Sequence, residues 1–524
     1  MREMLQRRRR AAANATPPDP ALRGNRPSIP GLIAAFLAGG SSLFSFAPFG
    51  WWPLQCVALA YFFYQVGMGS STRRATLIGW AFGFGWSVAG MHWLFIALNR
   101  YGDLAAPLAA IAIALLGLYM GLFAALAAGC AAWLRKRWSL PVPAFLLLVL
   151  PVLWAVSEWM RGWVFTGFPW AAAGYAHVTA PLGGFAPVLG VYGIGMLVAL
   201  ASSCLVMLTQ RAKLPAIGLF AALLLGGWGL RQVAWTHPVG QPITVRLLQG
   251  DIPQQEKFDR AHLENILVRY RDMLTGGPAD LIAAPETAIP IQPRYLSPGY
   301  LAMFQDYAAR TGSSYLIGIV GGDSDTDYAN SVVGIGPRDA AYRYDKQHLV
   351  PFGEFIPPGF RWFTDMMHIP LGDTARGKPV QAPFPVKDQL VLPNICYEDV
   401  FGEEIALNLR SEARPATLLL NVSNLAWYGE SVAIPQHLQI SRMRALETGR
   451  PMLRATNNGA TAIIDGRGNV QAQIPFYRQG VLAASVQGMA GSTPYILFGN
   501  YGFLGLGALM LLGAWFAGRR RRAA

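Results

Sequence analysis

The sequence predicts a polytopic α-helical membrane bundle of about eight transmembrane helices, with an α/β domain inserted before the last of them. Of its 524 residues, 53% are hydrophobic and only 14% are charged, a balance typical of membrane proteins. The apolar residues form uncharged stretches close to the ~20 residues that a helix needs to cross a bilayer. Most acidic residues fall instead in one long interval, which has the composition of a soluble domain.

The apolar stretches divide the chain into five regions. We expect a basic cytoplasmic tail over residues 1–28, seven membrane helices within residues 29–235, a soluble domain over residues 240–490, an eighth helix over residues 495–518 and a basic tail over residues 519–524. The predicted helices lie at about residues 30–46, 51–68, 75–98, 105–134, 144–160, 181–208, 215–230 and 496–518.

The basic residues predict how the bundle is oriented. Loops after even-numbered helices carry Lys and Arg, whereas loops after odd-numbered helices have almost none apart from Arg100. Because cytoplasmic loops are enriched in these residues, we expect both termini in the cytoplasm of a bacterium and the soluble domain in its periplasm. The net charge of +14 therefore belongs to tails and loops and does not indicate a nucleic-acid partner. The loop positions are Arg73, Arg74, Arg135, Lys136, Arg137, Arg211 and Lys213.

The soluble domain alternates short β-type runs with amphipathic segments. Strands are predicted at residues 244–248, 281–284, 315–320, 331–335, 341–344, 390–395, 417–422 and 461–464, and helices at residues 261–274, 299–311, 401–409 and 434–448. Several strands end in a polar motif, at the edge where α/β sheets usually carry their sites. The pattern favours an enzyme over a packing module.

Cys396 is the cysteine, of four in the chain, that lies in the soluble interval. It ends the apolar run Leu-Pro-Asn-Ile, residues 392–395, and is followed by Tyr397, Glu398 and Asp399. A lone buried cysteine is often a small hydrophobe, but this position at a strand end favours a nucleophile. No metal-ligand spacing and no nucleotide motif occurs, so we predict neither a metal nor another cofactor.

Glu286 and Lys346 are the groups that a cysteine nucleophile would need. Glu286 follows the apolar run that begins at Leu281, and Lys346 follows another predicted strand. A thiol reacts as its thiolate, which requires a cation or a base nearby. Lys346 could stabilise negative charge and Glu286 could take the thiol proton. Each residue is weak evidence alone, but a thiol, a carboxylate and an amine together suffice for acyl transfer.

In this order, Glu286, Lys346, Glu354 and Cys396 resemble the site of the nitrilase, or carbon-nitrogen hydrolase, superfamily, whose domains fold as αββα sandwiches. With eight spans around such a domain, nearly the whole chain resembles the bacterial apolipoprotein N-acyltransferase family. The motifs that carry this resemblance are Thr-Gly-Phe-Pro-Trp at residues 166–170, Gln-Gly-Asp-Ile-Pro-Gln at residues 249–254, Asn-Val-Ser-Asn-Leu-Ala-Trp-Tyr-Gly at residues 421–429, and residues 442–459.

The resemblance implies a two-step acyl transfer. A cysteine thioester forms from a phospholipid, with phosphatidylethanolamine the expected donor. The N-terminal α-amine of a diacylglyceryl-modified lipoprotein then accepts the acyl chain, which completes lipoprotein maturation. The implied residues are Glu286 as general base, Lys346 as oxyanion stabiliser and Cys396 as nucleophile, supported by Glu354, Tyr397 and Glu398.

Other residues are candidates for lipid or substrate entry. Glu158 and Arg161 lie at the outer end of the fifth predicted helix, as an interfacial ion pair or a headgroup contact. Trp427 and Tyr428 follow a motif strand, and Phe258 stands where many members of the family have Trp. An apolar arm after Lys346 is either helix core or a flap that dips into the bilayer. Its residues are Phe352, Phe355, Ile356, Phe360, Trp362, Phe363, Met366 and Met367.

Two other interpretations remain open at this point. A membrane-tethered amidase of the nitrilase type would use the same residues to hydrolyse a C–N bond, with water resolving the acyl-enzyme. A transporter or membrane scaffold would leave Cys396 inert, but the spans lack paired broken helices. A serine hydrolase is disfavoured because no Gly-x-Ser-x-Gly motif occurs.

Overall fold

The computed structural model describes residues 27–69, 71–210, 213–322, 324, 328–337, 342–357, 359, 361 and 374–523. Within them, apolar helices lie at the two ends of the chain, and each coincides with a stretch predicted to be a membrane helix. They are α1 Ile29–Ser41, α2 Trp52–Gly67, α3 Thr72–Met91, α4 Ala106–Trp138, α5 Val142–Arg161, α6 Ala186–Met207 and α7 Lys213–Leu230, and the last is α14 Tyr501–Ala523.

In the part of the chain that the structure describes, fewer than the eight predicted membrane spans are found when a helix must be both long enough and apolar enough to cross a bilayer. Among the described residues, five helices are long and apolar enough to cross a membrane: α4, α5, α6 with its preceding turn, α7 and α14. A sixth results if α3 and the segment Leu94–Tyr101, which is bent from it by 62°, form one broken span. Helix α1 has only 13 residues. Several apolar helices are therefore established, and the count of about eight stays a prediction.

Small residues let the membrane helices touch backbone to backbone. A Cβ atom added at Gly85 of α3 would lie 1.9 Å from the carbonyl oxygen of Phe36 in α1. One added at Gly79 of α3 would lie 2.6 Å from the carbonyl oxygen of Ala124 in α4. Close approach of this kind is the usual basis of helix association in lipid, because dispersion contacts replace the hydrophobic effect there. Helix α3 is thus held between α1 and α4.

The domain between α7 and α14 contains two six-stranded sheets in the described part of the chain. One has the order β13-β2-β3-β4-β5-β6 and the other β12-β11-β10-β9-β8-β7. A short pair, β1 His237–Pro238 and β14 Met489–Ala490, lies apart. The strands are β2 Ile243–Gln249, β3 Leu281–Ile289, β4 Ser314–Gly322, β5 Tyr328–Ile335, β6 Tyr342–Asp345, β7 Phe384–Val386, β8 Gln389–Ile395, β9 Leu418–Ser423, β10 Met452–Thr456, β11 Ala462–Ile464, β12 Val470–Gln473 and β13 Gly480–Val486.

The two sheets pack face to face with helices outside them. Val245, Ala283, Leu392 and Leu420 belong to one buried cluster between the sheets. A second cluster joins the first sheet to two of the helices. This layering is the αββα sandwich that the resemblance implied. The helices are α8 Gln254–Lys257, α9 Leu263–Thr275, α10 Tyr300–Thr311, α11 Gly402–Ser411, α12 Ala433–Thr448 and α13 Pro494–Phe498, of which α9 and α10 cover the first sheet.

Parallel pairing brings the motif-bearing strand ends together. Strands β2, β3 and β4 are parallel neighbours in one sheet, and β8, β9 and β10 are parallel neighbours in the other. Because parallel strands finish at the same edge of a sheet, the residues after β8 and β9 lie beside each other. The packing of the sheets then sets them opposite the end of β3.

The sandwich and the bundle share an interior. One apolar cluster contains residues of α2 to α6 together with Val400, Phe401 and Met443 of the domain. Glu447 of α12 accepts a 2.7 Å hydrogen bond from the backbone N–H of Val191, next to a break in α6 at Gly190, where φ is 66°. Since the break frees that N–H from the helix ladder, a side chain of the domain satisfies a membrane helix. The two parts are built as one unit.

Candidate active site

Cys396 is the first residue after β8, and its backbone has a φ of 51°. A side chain other than glycine is strained in this left-handed region, by roughly 1–3 kcal/mol, so neighbouring groups must hold it. The carbonyl oxygen of Cys396 accepts hydrogen bonds from Asn421 Nδ2 at 3.2 Å and His437 Nε2 at 3.1 Å. The backbone N–H of Asn424 reaches the thiol. The strand end therefore presents the thiol in a fixed, tight turn.

His437 belongs to a buried chain of polar groups behind the thiol. Arg454 Nη2 donates to His437 Nδ1 at 2.8 Å, which leaves the Nε2–H to donate to Cys396. Arg454 Nη1 is also paired with Asp399 Oδ2 at 3.2 Å. Burial and the charge of Arg454 lower the pKa of His437 well below its ordinary value. His437 is thus neutral, and it supports the turn rather than supplying a charge.

Two carboxylates and one ammonium group meet beside the thiol. Lys346 Nζ lies 2.9 Å from Glu354 Oε1 and 3.4 Å from Glu286 Oε1. Asn330 Nδ2 donates to the same two oxygens, at 2.9 Å and 2.7 Å respectively. The other oxygen of Glu286 accepts from the backbone N–H of Asn424 at 2.8 Å. Glu286 is therefore held on both oxygens, between Lys346 and the residue that reaches the thiol.

The charges around Cys396 define its resting state. Burial raises the pKa of the Cys396 thiol, and Glu286 raises it further, whereas Lys346 lowers it. The thiol is consequently protonated at neutral pH and requires a base before it can attack. Burial alone would lower the pKa of Lys346, but Glu354 and Glu286 outweigh it and hold that pKa above the ordinary value. Lys346 is a permanent cation.

Glu398 fastens the segment after Lys346 to the end of β8. Its Oε1 atom accepts from the backbone N–H groups of Gln347 at 2.6 Å and His348 at 3.2 Å. Its Oε2 atom accepts from the N–H of Ile395 at 2.6 Å and the hydroxyl of Tyr344 at 2.9 Å. The residues that flank Lys346 and the residue before Cys396 therefore share one side chain. Burial raises the pKa of Glu398 to about 7, against the effect of these donors and of Lys346.

The stability that Glu398 contributes should fall as the pH rises. Because its pKa in the folded protein is about 7 and the ordinary value is 4.5, the folded chain binds this proton more tightly than the unfolded chain. That contribution is complete below the lower value and is lost as the pH rises toward about 7. Between pH 5 and pH 8, the wild type should lose about 2 kcal/mol more of its unfolding free energy than Glu398→Gln does. Unfolding in detergent at both pH values measures this, and parallel losses would contradict it.

Tyr397 faces the membrane bundle. Its hydroxyl donates to the carbonyl oxygen of Gly167 at 2.9 Å, and its ring stacks on Phe168 with the centroids 6.1 Å apart. Both partners belong to the Thr-Gly-Phe-Pro-Trp loop. The residue next to Cys396 thus ties the site to the bundle.

The entrance candidates occupy three different settings. Phe258 is 55% exposed and Trp427 is 40% exposed, whereas Tyr428 packs edge-on against Trp93 with the centroids 4.5 Å apart. Glu158 and Arg161 are buried and lie 3.7 Å from each other. Glu158 also accepts a 2.8 Å hydrogen bond from the backbone N–H of Ala173, so this pair is placed to hold the loop before α6.

The apolar arm is described only in part. Phe352 is 40% exposed, and the guanidinium group of Arg376 lies 5.1 Å from the ring centre of Phe355. Phe360, Trp362, Phe363, Met366 and Met367 lie outside the described residues. Helix core and flap therefore both stay predictions for the apolar arm.

An apolar cavity of about 1200 Å³ opens between the bundle and the domain. Val88 of α3 and Ile113 of α4 form one side, and Ile434 and Tyr477 of the domain form the other. Trp93 also lines the cavity and packs on Tyr428, which interacts electrostatically with Cys396. The cavity wall thus contains one ring, Trp93, that packs on Tyr428 near the thiol.

Sequence reasoning did not single out several residues of the site. Asn330, Asn424, His437 and Lys257 contact the candidate residues, yet none was assigned a role. Asn424 lies inside the quoted motif of residues 421–429, and Lys257 directly precedes Phe258, so motif membership was the available signal. No sequence signal marked Asn330 or His437 as part of the site. Among the described residues, no group of three or more His, Cys, Asp or Glu side chains is arranged to hold a metal ion.

The sandwich and the cluster of Glu286, Lys346, Glu354 and Cys396 define the class of the protein: a membrane protein with a carbon-nitrogen hydrolase domain. The family model of that name, Carbon-nitrogen hydrolase, matches residues 244–495. A second model, Apolipoprotein N-acyltransferase N-terminal domain, matches residues 38–204. The chain belongs to the apolipoprotein N-acyltransferase family.

Curated relatives support this assignment over nearly the whole chain. An apolipoprotein N-acyltransferase of Ralstonia nicotianae is 49% identical over 494 residues, which cover 93% of this chain and 93% of the relative. Those of Bordetella bronchiseptica and Nitrosomonas europaea are 41% and 42% identical, and the matches cover 96% and 94% of this chain and 99% and 98% of the relatives. The protein is accordingly an N-acyltransferase of lipoprotein biosynthesis, and the amidase and scaffold interpretations are not favoured.

Proposed function

We propose that the protein transfers a fatty acyl chain from a membrane phospholipid, through a thioester on Cys396, to the N-terminal α-amine of a diacylglyceryl-cysteine lipoprotein. The observation that carries the proposal is the buried cluster of Cys396, Glu286 and Lys346, together with an apolar cavity that opens between the membrane helices and the domain. The cluster has the groups that acyl transfer requires. The apolar cavity beside the membrane helices favours a donor whose acyl chains remain in lipid. We further propose phosphatidylethanolamine as the donor.

In the first step, Glu286 takes the thiol proton as the sulfur of Cys396 attacks the ester carbonyl carbon. The negative charge that develops on the carbonyl oxygen is stabilised by the Lys346 ammonium group, which is charged at all working pH values. The C–O bond to the glycerol then breaks, and the leaving alkoxide recovers the proton from Glu286. A lysophospholipid departs, and the acyl chain stays on sulfur.

In the second step, the acceptor amine attacks the thioester carbonyl and loses its proton to Glu286. The C–S bond breaks, the amide forms, and Glu286 returns the proton to the leaving thiolate, which restores the thiol of Cys396. Glu354 forms an ion pair with Lys346, which Glu286 also contacts. Glu398 fixes the segment that carries Lys346 through its hydrogen bond with Gln347. Burial of the site keeps water from the thioester, which favours transfer over hydrolysis.

Attachment to the bundle also has an energetic reason. Withdrawing an acyl chain from the bilayer costs about 0.8 kcal/mol per methylene, so a site in bulk water would pay this for both substrates. We propose a multi-pass arrangement in the bacterial inner membrane, with cytoplasmic termini and the domain of residues 240–490 in the periplasm. The charge pattern of the loops supports this orientation.

Intact-protein mass spectrometry tests the proposed function. Purified protein in mixed micelles of detergent and phosphatidylethanolamine, without acceptor, should gain one fatty-acyl mass and release one lysophospholipid. A diacylglyceryl-cysteine peptide should then discharge the adduct and appear as its N-acyl amide. Mixed micelles with phosphatidylcholine or phosphatidylglycerol test the donor headgroup. Absence of an adduct, or discharge by water as fast as by the peptide, would contradict the proposal, and the second outcome would identify a hydrolase.

A further inference from the structure

Lys257 is a second buried lysine beside the site. It ends the short helix α8, only 2% of its surface is exposed, and its Nζ donates to the backbone carbonyl oxygen of Glu286 at 2.8 Å. It also interacts electrostatically with the carboxylate of Glu286 and with Cys396. A lysine is rarely buried unless it is paired, and the partner here is the main chain of the residue that we propose as the base.

The segment that carries Lys257 is fixed to the residues that hold the catalytic groups. Gln254 Oε1 accepts from Asn424 Nδ2 at 2.8 Å. Asn457 bonds both backbone groups of Ile252, accepting from its N–H at 3.0 Å and donating to its carbonyl at 2.7 Å. Asn424 is also the residue whose backbone N–H meets Glu286 and the thiol. The segment that carries Lys257 is therefore fastened to Asn424, the residue whose backbone N–H holds Glu286 and reaches the thiol.

The charges of the site need a second cation. Glu286 and Glu354 carry two negative charges, and Lys346, bonded to both, carries one positive charge. These three groups leave one net negative charge beside the thiol, which opposes formation of a thiolate or an oxyanion. With the ammonium group of Lys257 the sum is zero. The bonds of Lys257 in the described structure go to a carbonyl and not to a carboxylate, so its charge is not already neutralised by direct contact.

The protonation state of Lys257 is consistent with this sum of charges. Burial lowers its pKa to about 8, although Glu286 and Cys396 pull it upward. At neutral pH most of the molecules thus carry the ammonium form. A buried cation without a contacting carboxylate is unfavourable by itself, so the fold retains this charge at a cost that a purely structural side chain would not require.

We propose that Lys257 is a positioning residue of the acyl-transfer site, whose ammonium charge offsets the second carboxylate and favours the Cys396 thiolate while its hydrogen bond fixes the backbone of Glu286. The inference rests on the proposed function for its catalytic consequence. Its effect on the thiol is independent of any acyl donor. The titratable and charged groups that face the thiol are Glu286, Lys346, Glu354, Tyr428, Arg454, His437 and Lys257.

Alkylation of Cys396 by iodoacetamide tests the inference without lipid. The rate is followed from pH 6 to pH 10 by mass spectrometry of the Cys396 peptide, which separates this thiol from Cys56, Cys130 and Cys204. In Lys257→Met the alkylation rate should fall about tenfold below pH 8, where the wild-type ammonium group is charged, and should approach the wild-type rate at higher pH. Lys257→Arg should stay close to the wild type, because it keeps the charge. Lys378→Met removes an exposed lysine charge and should leave the profile unchanged.

The same variants are then tested for acyl-adduct formation from phosphatidylethanolamine. Lys257→Met should slow it about tenfold, and Lys257→Arg should recover most of the rate. If both variants lose alkylation equally, Lys257 only supports the fold and the inference is overturned. If Lys257→Met matches the wild type in both assays, the inference also fails while the proposed function stands. If wild-type protein alkylates normally but forms no adduct, the proposed function fails and the alkylation result decides the inference alone.

Discussion

The Cys396→Ala variant is expected to form no acyl adduct and to lose at least about a thousandfold of the transfer rate, because the thiol is the group that the proposed mechanism acylates. The fold should survive this change. The hydrogen bonds that hold the turn use the backbone carbonyl of Cys396, which alanine retains, and the strained φ is equally costly for both side chains. The unfolding free energy should therefore change by less than about 1 kcal/mol.

The matched control is Cys396→Ser, which preserves shape and polarity. A hydroxyl group ionises far less readily than a thiol, so the serine variant should retain only a trace of activity and should accumulate little adduct. Mass spectrometry detects the adduct, and thermal unfolding in detergent checks the fold. Acyl transfer by Cys396→Ala at a rate near that of the wild type would remove the thioester from the mechanism.

Replacing Lys346 by methionine should damage both stability and activity. The change leaves Glu286 and Glu354 buried as two like charges that share Asn330, so one of them must take up a proton. Removing one partner of a buried ion pair typically costs about 3–5 kcal/mol. Loss of the cation that we propose to stabilise the oxyanion should also slow adduct formation by roughly a hundredfold to a thousandfold.

A double variant separates these two effects. In Lys346→Met with Glu354→Gln, one carboxylate leaves together with the ammonium group, so most of the lost stability should return. The adduct should still form slowly, because the amide carries no positive charge. Thermal unfolding and adduct mass are measured on the wild type, the single variant and the double variant. Full recovery of the adduct rate in the double variant would show that Lys346 acts only as a counterion.

The strand pattern was predictable where local residues determine it. All eight strands and four helices expected from periodicity are present within a few residues, because β-branched runs and amphipathic spacing are local signals. Strand β10 was missed because Arg454 interrupts an otherwise apolar run, and its charge is balanced by Asp399, which is 55 positions away. Strand β13 pairs with β2 from the far end of the domain, a contact that no local pattern encodes.

The site was predictable only to the extent that motifs marked it. Lys346 and Cys396 follow strands, whereas Glu286 lies inside β3, which continues past the predicted end at residue 284. The structure brings Glu286 within 3.4 Å of Lys346. The roles assigned to them remain for the variants to test. Lys257 could not have been found by spacing, because its burial depends on Glu286, 29 positions away, and on the amide side chains that fasten α8. The short apolar helix α1 likewise shows why the number of spans cannot be derived from hydropathy alone.

Because the sandwich and the bundle share an interior, the relevant substrate concentration is the concentration in the lipid layer and not the concentration in bulk solution. Tyr397 is bonded to the loop before α6, Tyr175 donates to the carbonyl of Val400 at 3.1 Å, and Glu447 caps the broken helix α6, so the thiol has a fixed height relative to the membrane helices. An enzyme built in this way searches for its substrate in two dimensions. The fraction of enzyme occupied by donor then depends on the mole fraction of donor in the surrounding lipid layer. Diluting that layer with inert lipid lowers the transfer rate even when the total amount of donor is constant.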